Sequence, residues 1–253
     1  MDLIQFHPGP RVSTIVLNRP PLNVINMQMM DELIAAWDEV EDLQSQVVVI
    51  SGAGERAFSA GVEVADHAPD KLESMLCKFH QIVRRIFESD RITIAAIHGH
   101  TLGGGAELAM MCDFVVAAED TQIGQPEINL ACYPPVAAAY LPRAIGFHRA
   151  SQLVLLGEPI SAADAERIGL ISKVAPRVEL NDAVDNYVDR LLTKSSAAVA
   201  LTKKALREGL DHHFEHALDL TERIYRTELA RTDDMREGID AFLQKRPPNW
   251  KNR

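Results

Sequence analysis

An α/β fold is predicted by three features of this chain. Strand-like apolar runs alternate with helical lengths, three consecutive glycines join a buried strand to an apolar helix, and the composition turns helical from Ala150 onward.

Residues 11–18 and 46–51 read as strands because β-branched residues dominate them, and an amphipathic helix from about 27 to 43 lies between them. A loop over 52–69 leads into a helix over 71–88, where Leu72, Met75, Leu76, Phe79, Ile82, Val83 and Ile86 recur at helical spacing. Residues 93–97 form an apolar strand that enters the glycine turn at 98–105. Helix formers at 106–112 and a further strand at 114–118 follow. Beyond Ala150 come a helix start with a capping serine at Ser161, a short strand near 170–174 and three long amphipathic stretches ending by Gln244. Pro247 and Pro248 then close the helical pattern.

With 253 residues, 47% hydrophobic and 25% charged, the chain has material for one full core, alone or with a small appendage. No run reaches the ~18 to 20 apolar residues of a bilayer span, and the first residues lack a signal peptide's basic and apolar regions. The expectation is a soluble cytoplasmic protein without membrane partners. A net charge of −10 argues against nucleic-acid binding, which depends on a basic surface to neutralise phosphates. Cys77, Cys112 and Cys132 make neither a disulfide framework nor a close metal pair, so reduced and mostly buried thiols are expected.

Candidate chemistry gathers at a few places. Gly103, Gly104 and Gly105 open a helix carrying Glu107 in its first turn, where unpaired amides face negative charge. The P-loop ending Gly-Lys-Ser/Thr is missing, as is the dinucleotide glycine fingerprint. An oxyanion hole and plain tight packing remain as uses for the turn. The apolar neighbours Ala106, Leu108, Ala109 and Met110 should raise the Glu107 pKa into the range useful for proton transfer. Pro126 stiffens the backbone before a second acid, Glu127, which would otherwise be an ordinary loop carboxylate or helix cap. The run 57–63 approaches a nucleophile elbow but has Ala57 at the first glycine position, so Ser59 is discounted as a nucleophile. His212, His213 and His216 sit among acidic and polar residues and read as a solvated face rather than a metal cluster, and no metal site is expected. His98 and His100 flank the glycine turn and receive no assigned role.

Taken together, Ala57-Phe-Ser-Ala-Gly-Val62, Gly99-His-Thr-Leu-Gly-Gly-Gly-Ala-Glu-Leu-Ala-Met-Met-Cys-Asp113 and Ile123-Gly-Gln-Pro-Glu-Ile-Asn-Leu130 resemble the enoyl-CoA hydratase/isomerase family, the crotonases. The likeness extends to Leu17-Asn-Arg-Pro20, to residues 157–169 and to 236–246, so it spans nearly the whole chain. It implies a crotonase-like spiral of β-β-α turns over residues 1–195 and a helical trimerisation region over 196–253. Assembly would be as a homotrimer or a dimer of trimers.

The resemblance also implies site roles. The amides of Val62 and Gly104 would form an oxyanion hole, Glu107 would hold and deprotonate water, and Glu127 would protonate the carbon alpha to a thioester. Ala60, the segment near Arg19 and Asn23, and Lys245 from a neighbouring subunit would hold the acyl-CoA substrate. No separate cofactor is expected, since coenzyme A is part of that substrate.

The sequence departs from common crotonases after Leu130, where Tyr133-Pro-Pro-Val-Ala-Ala-Ala-Tyr140 replaces a glycine-rich stretch. Pro134 and Pro135 fix the backbone there, and Tyr133 and Tyr140 are expected to wall the acyl pocket. With residues 67–70 and the ending 245–253, this stretch resembles the cyclohexa-1,5-diene-1-carbonyl-CoA hydratases of anaerobic aromatic degradation. The alternatives are a short-chain 2-enoyl-CoA hydratase, a double-bond isomerase and, more remotely, a non-catalytic scaffold.

Overall fold

The structure, a computed structural model, describes residues 1–43, 45–210, 225 and 227–253. These divide into two compact units, one of residues 1–89 with 93–186 and one of residues 90–92 with 187–253. The three histidines at 212, 213 and 216 fall outside the described residues.

The first unit is built from repeated strand-strand-helix turns. One comprises β3 (Val47–Gly52), β4 (Ala57–Ser59) and α2 (Leu72–Glu88), and the next β5 (Ile92–Ile97), β6 (His100–Leu102) and α3 (Gly104–Met110). A further turn begins with β7 (Phe114–Ala118) and β8 (Gln122–Gly124), then passes through a 3-10 turn at Pro126–Leu130 into α4 (Pro135–Ile145) and α5 (Phe147–Leu156). The first strand of each turn joins one sheet and the second joins another, so the chain winds as a spiral.

The larger sheet has the order β1-β2-β3-β5-β7-β10, with β1 at Ile4–His7, β2 at Val12–Leu17 and β10 at Lys173–Ala175. The smaller has the order β4-β6-β8-β9, with β9 at Ile160–Ser161. The pairs β2–β3, β5–β7, β4–β6 and β6–β8 are parallel. Every residue of β5 is buried, as expected of a strand covered on both faces.

Helix α1 (Met27–Leu43) turns Met29, Met30, Leu33, Trp37 and Val40 inward, and α2 turns Met75, Phe79, Ile82, Val83 and Ile86 inward. Helix α3 is buried all round, so a helix of small and apolar residues fits there and its carboxylate stands out. Ser161 caps α6 (Ala162–Arg167) by accepting the Asp164 amide at 3.1 Å.

Several local expectations shift. The strand β1 is added, and the glycine turn contains β6. The strand expected near 170–174 lies at Lys173–Ala175, because the Leu170 amide first turns back onto the Ala165 carbonyl at 2.9 Å. The segment after Tyr133 is a helix from Pro135, where proline suits a first helical position. Cys112 is buried as expected, but Cys77 is exposed; none of the three cysteines is in a disulfide among the described residues. In the second unit, α8 (Ser196–Leu210) follows α7 (Leu180–Leu192), which begins in the first, and α9 (Asp233–Leu243) closes the described helices. None of the described helices is long and apolar enough to cross a membrane.

Candidate active site

A cleft of about 990 Å³ opens in the first unit. Its wall brings together Ala60, Val62, Gly104, Glu107, Glu127 and Tyr133. Residues more than 70 positions apart in sequence therefore meet in one site.

The amides of Val62 and Gly104 take their direction from the peptides that contain them. A trans peptide points its C=O and N–H in opposite directions. The Gly61 carbonyl accepts the Ile25 amide at 2.9 Å, so the Val62 N–H in the same peptide points the other way. The Gly103 carbonyl accepts the Glu107 amide at 2.8 Å along α3, so the Gly104 N–H points out from the start of that helix. The two residues are tightly apposed: a β-carbon on Gly104 would lie 2.7 Å from Val62 Cγ2. Glycine is therefore required at 104 by close approach.

Glu107 is 3% exposed. Its Oε1 accepts the Ala137 amide at 2.9 Å from the first turn of α4. Burial, assisted by the nearby charge of Glu127, raises its pKa to about 7 against the opposing pull of the Ala137 and Val136 amides. Glu127, in the 3-10 turn, is also pushed above the usual carboxylate range by burial, with its own amide and His67 pulling the other way. Glu127 Oε2 is buried and has no hydrogen-bond partner among the described residues. Gly103 adopts a positive φ of 52°, and a β-carbon there would stand 2.5 Å from Glu127 Oε1. Both acids thus flank one glycine turn.

Three expected substrate contacts do not line the cleft. Asn23 is fully buried at φ 48°, and its side chain is consumed by the loop: Nδ2 donates to the Ala53 and Ala57 carbonyls at 2.8 and 2.9 Å, and Oδ1 accepts the Arg19 amide at 2.9 Å. Arg19 is not in the cleft wall; its Nη1 donates to the Val24 carbonyl and to Glu63 at 3.0 and 2.9 Å, although its side chain stays 36% exposed. Tyr140, on α4, is half-buried against the hydrophobic core and likewise does not line the cleft. Tyr133 does line it and is 68% exposed. Lys245 is exposed in the second unit. His98 and His100 are both absent from the cleft wall.

The cleft also holds residues that sequence reasoning passed over. His67 lines it, with Nδ1 3.1 Å from the Glu63 carbonyl, and so do Met75, Leu76 and Phe79 on the inward face of α2. The helical periodicity of α2 marked that face as buried without showing what it faced.

A spiral α/β fold that sets one buried and one half-buried acid beside two outward-pointing amides offers groups able to move protons next to a negatively charged oxygen. The profile of the enoyl-CoA hydratase/isomerase family matches residues 9–253, and the chain belongs to that family. A probable enoyl-CoA hydratase of Mycobacterium bovis is 35% identical over 246 residues, covering 96% of this chain and 95% of the relative. The 2,3-dehydroadipyl-CoA hydratase of Escherichia coli is 37% identical over 254 residues, covering 96% of each. The crystal structure of an enoyl-CoA hydratase from Bacillus anthracis superposes with a TM-score of 0.92 at 31% identity, covering 99% of this chain and all of that one. The relatives so named are hydro-lyases, and the expected crotonase spiral is present.

Proposed function

We propose that this enzyme adds water across a double bond conjugated to a coenzyme A thioester. The observation that carries this reading is the pair of acids, Glu107 buried and Glu127 half-buried, that meet beside the Gly103–Gly104 turn in one cleft. Glu107 takes a proton from water as the oxygen attacks the β-carbon. The electron pair moves through the alkene onto the thioester oxygen, where the Val62 and Gly104 amides hold the negative charge. Glu127, whose burial favours its protonated form, returns a proton to carbon, so the net change is one water added.

The acyl group we infer is a cyclic conjugated dienoyl thioester, such as cyclohexa-1,5-diene-1-carbonyl-CoA in anaerobic aromatic degradation. Pro134 and Pro135 stiffen the cleft wall beside Tyr133, and a rigid apolar wall suits a flat ring that loses little rotational freedom on binding. A short linear 2-enoyl-CoA is the second reading, supported by relatives named as a crotonyl-CoA hydratase and a short-chain-enoyl-CoA hydratase. Coenzyme A itself would be held by Arg19 and by Lys245 of a neighbouring subunit in a homotrimer or dimer of trimers, with the helical region 196–253 contributing to assembly.

Incubation with a set of cyclic and linear enoyl-CoA thioesters, followed by mass spectrometry, tests the activity. A product heavier by one water is expected. A product of unchanged mass with a moved double bond would replace hydration by isomerisation.

A further inference from the structure

Ser59 has no place in the proton chemistry, yet it is fully buried beside both donor turns. Its hydroxyl donates to the Asn23 carbonyl at 2.8 Å and accepts the Gly61 amide at 3.2 Å. A hydroxyl has one proton to give, so these two bonds set its orientation. The Gly61 residue is then tied at both ends: its amide to Ser59, and its carbonyl to Ile25, two residues beyond Asn23. The peptide between Gly61 and Val62 therefore has little freedom to rotate, and its N–H is the one aimed at the cleft.

Ser59 also abuts the other donor turn. A β-carbon on Gly105 would lie 2.5 Å from the Ser59 carbonyl oxygen and 2.8 Å from its hydroxyl, so the start of α3 presses directly on this residue. The strand pairing agrees, since Ser59 aligns with Thr101 in β6 after a shift in register beyond Ala57. On the far side, Gly61 at φ 107° stands close to the Gly104 amide, 3.6 Å from where its β-carbon would be.

We propose that Ser59 is a positioning residue that sets the separation and aim of the Val62 and Gly104 amides. This rests on the oxyanion reading above. The hydroxyl holds the Val62 turn from beneath while its backbone and Cβ carry the Gly104 turn, so one residue couples the two donors. Its removal moves the Val62 amide without touching either acid.

The test compares Ser59→Ala with Ser13→Ala, another fully buried serine, whose hydroxyl bonds Ser45 at 2.7 Å away from the cleft. Carbonyl polarisation is read from the red shift of a bound cinnamoyl-CoA chromophore, alongside kcat, KM and thermal melting. Ser59→Ala is expected to lower kcat by ~10- to 100-fold, the scale of an ångström-sized misplacement, with little change in KM and a reduced red shift. Ser13→Ala is expected to lose a similar amount of melting temperature and keep both kcat and the shift. A folded Ser59→Ala enzyme with the wild-type kcat and shift overturns the proposal. Should that variant fail to fold, Ser59→Cys keeps the side-chain shape with a larger terminal atom while weakening both bonds, and a wild-type shift in it overturns the proposal equally. Absence of any red shift in the wild-type enzyme overturns the oxyanion reading and this proposal together.

Discussion

At the scale of single residues, Glu107 has two separable consequences. As a general base its replacement by Gln should cut turnover ~10²- to 10⁴-fold while thioester binding persists, and Glu127→Gln should do the same. Steady-state kinetics with direct binding measurements check this, and a near-normal kcat in either variant removes that acid from the mechanism. The second consequence concerns stability. Folding raises the Glu107 pKa from an ordinary 4.5 to about 7, so the folded state binds its proton more tightly than the unfolded chain does. The resulting stabilisation is complete below pH 4.5 and is lost as the pH rises through 7. At 1.36 kcal/mol per unit it amounts to about 3 kcal/mol. Glu107→Gln should therefore be more stable than the parent at pH 8 and show little such gain at pH 5. A difference in denaturation midpoint that does not change between these pH values would contradict the buried, proton-hungry acid.

At the scale of elements, the site depends on where short segments begin. The first turn of α4 supplies amides to Glu107, and the first residue of α3 leaves an amide facing the cleft. Between them, Gly103 occupies a positive-φ conformation beside Glu127. Gly103→Ala should cost at least about 1 kcal/mol from its positive φ alone. It should also depress kcat strongly, because the new methyl displaces the Glu127 carboxyl. Chemical denaturation and kinetics measure the two effects separately, and wild-type kcat in the variant would mean that Glu127 is not held against this turn.

At the scale of the whole molecule, the spiral stacks the second strands of successive turns in one small sheet, which brings β4, β6 and β8 side by side. The loops leaving these strands carry Val62, Gly104 and Glu127 in that order, and all three line the cleft. The stiff segment at Tyr133–Pro135 borders the same cleft, so the substrate reading belongs to this scale. The expected outcome is a higher kcat/KM for a cyclic conjugated dienoyl-CoA than for crotonyl-CoA under the same conditions. If crotonyl-CoA is used as well or better, the ring preference falls and hydration of a linear enoyl thioester stands in its place.

The periodicities at α1, α2, β2 and β7 are local properties of the chain, and so they were legible in the amino-acid sequence without any knowledge of contacts. So were the glycine turn and the two acids, since the residue types that chemistry requires lie in three short motifs. Which side chains see the cleft was another matter, decided by bonds between distant segments. Asn23 is drawn inward by carbonyls 30 and 34 residues away, Tyr140 packs against the core from a helix where a pocket wall was expected, and His67 enters the cleft from a short 3-10 turn. The Glu107 pKa likewise reflects burial by the surrounding fold and an amide 30 residues on. Sequence patterns specify which groups are available, but direction and solvation arise only when the spiral stacks its turns, because both depend on neighbours that the chain brings together from far apart.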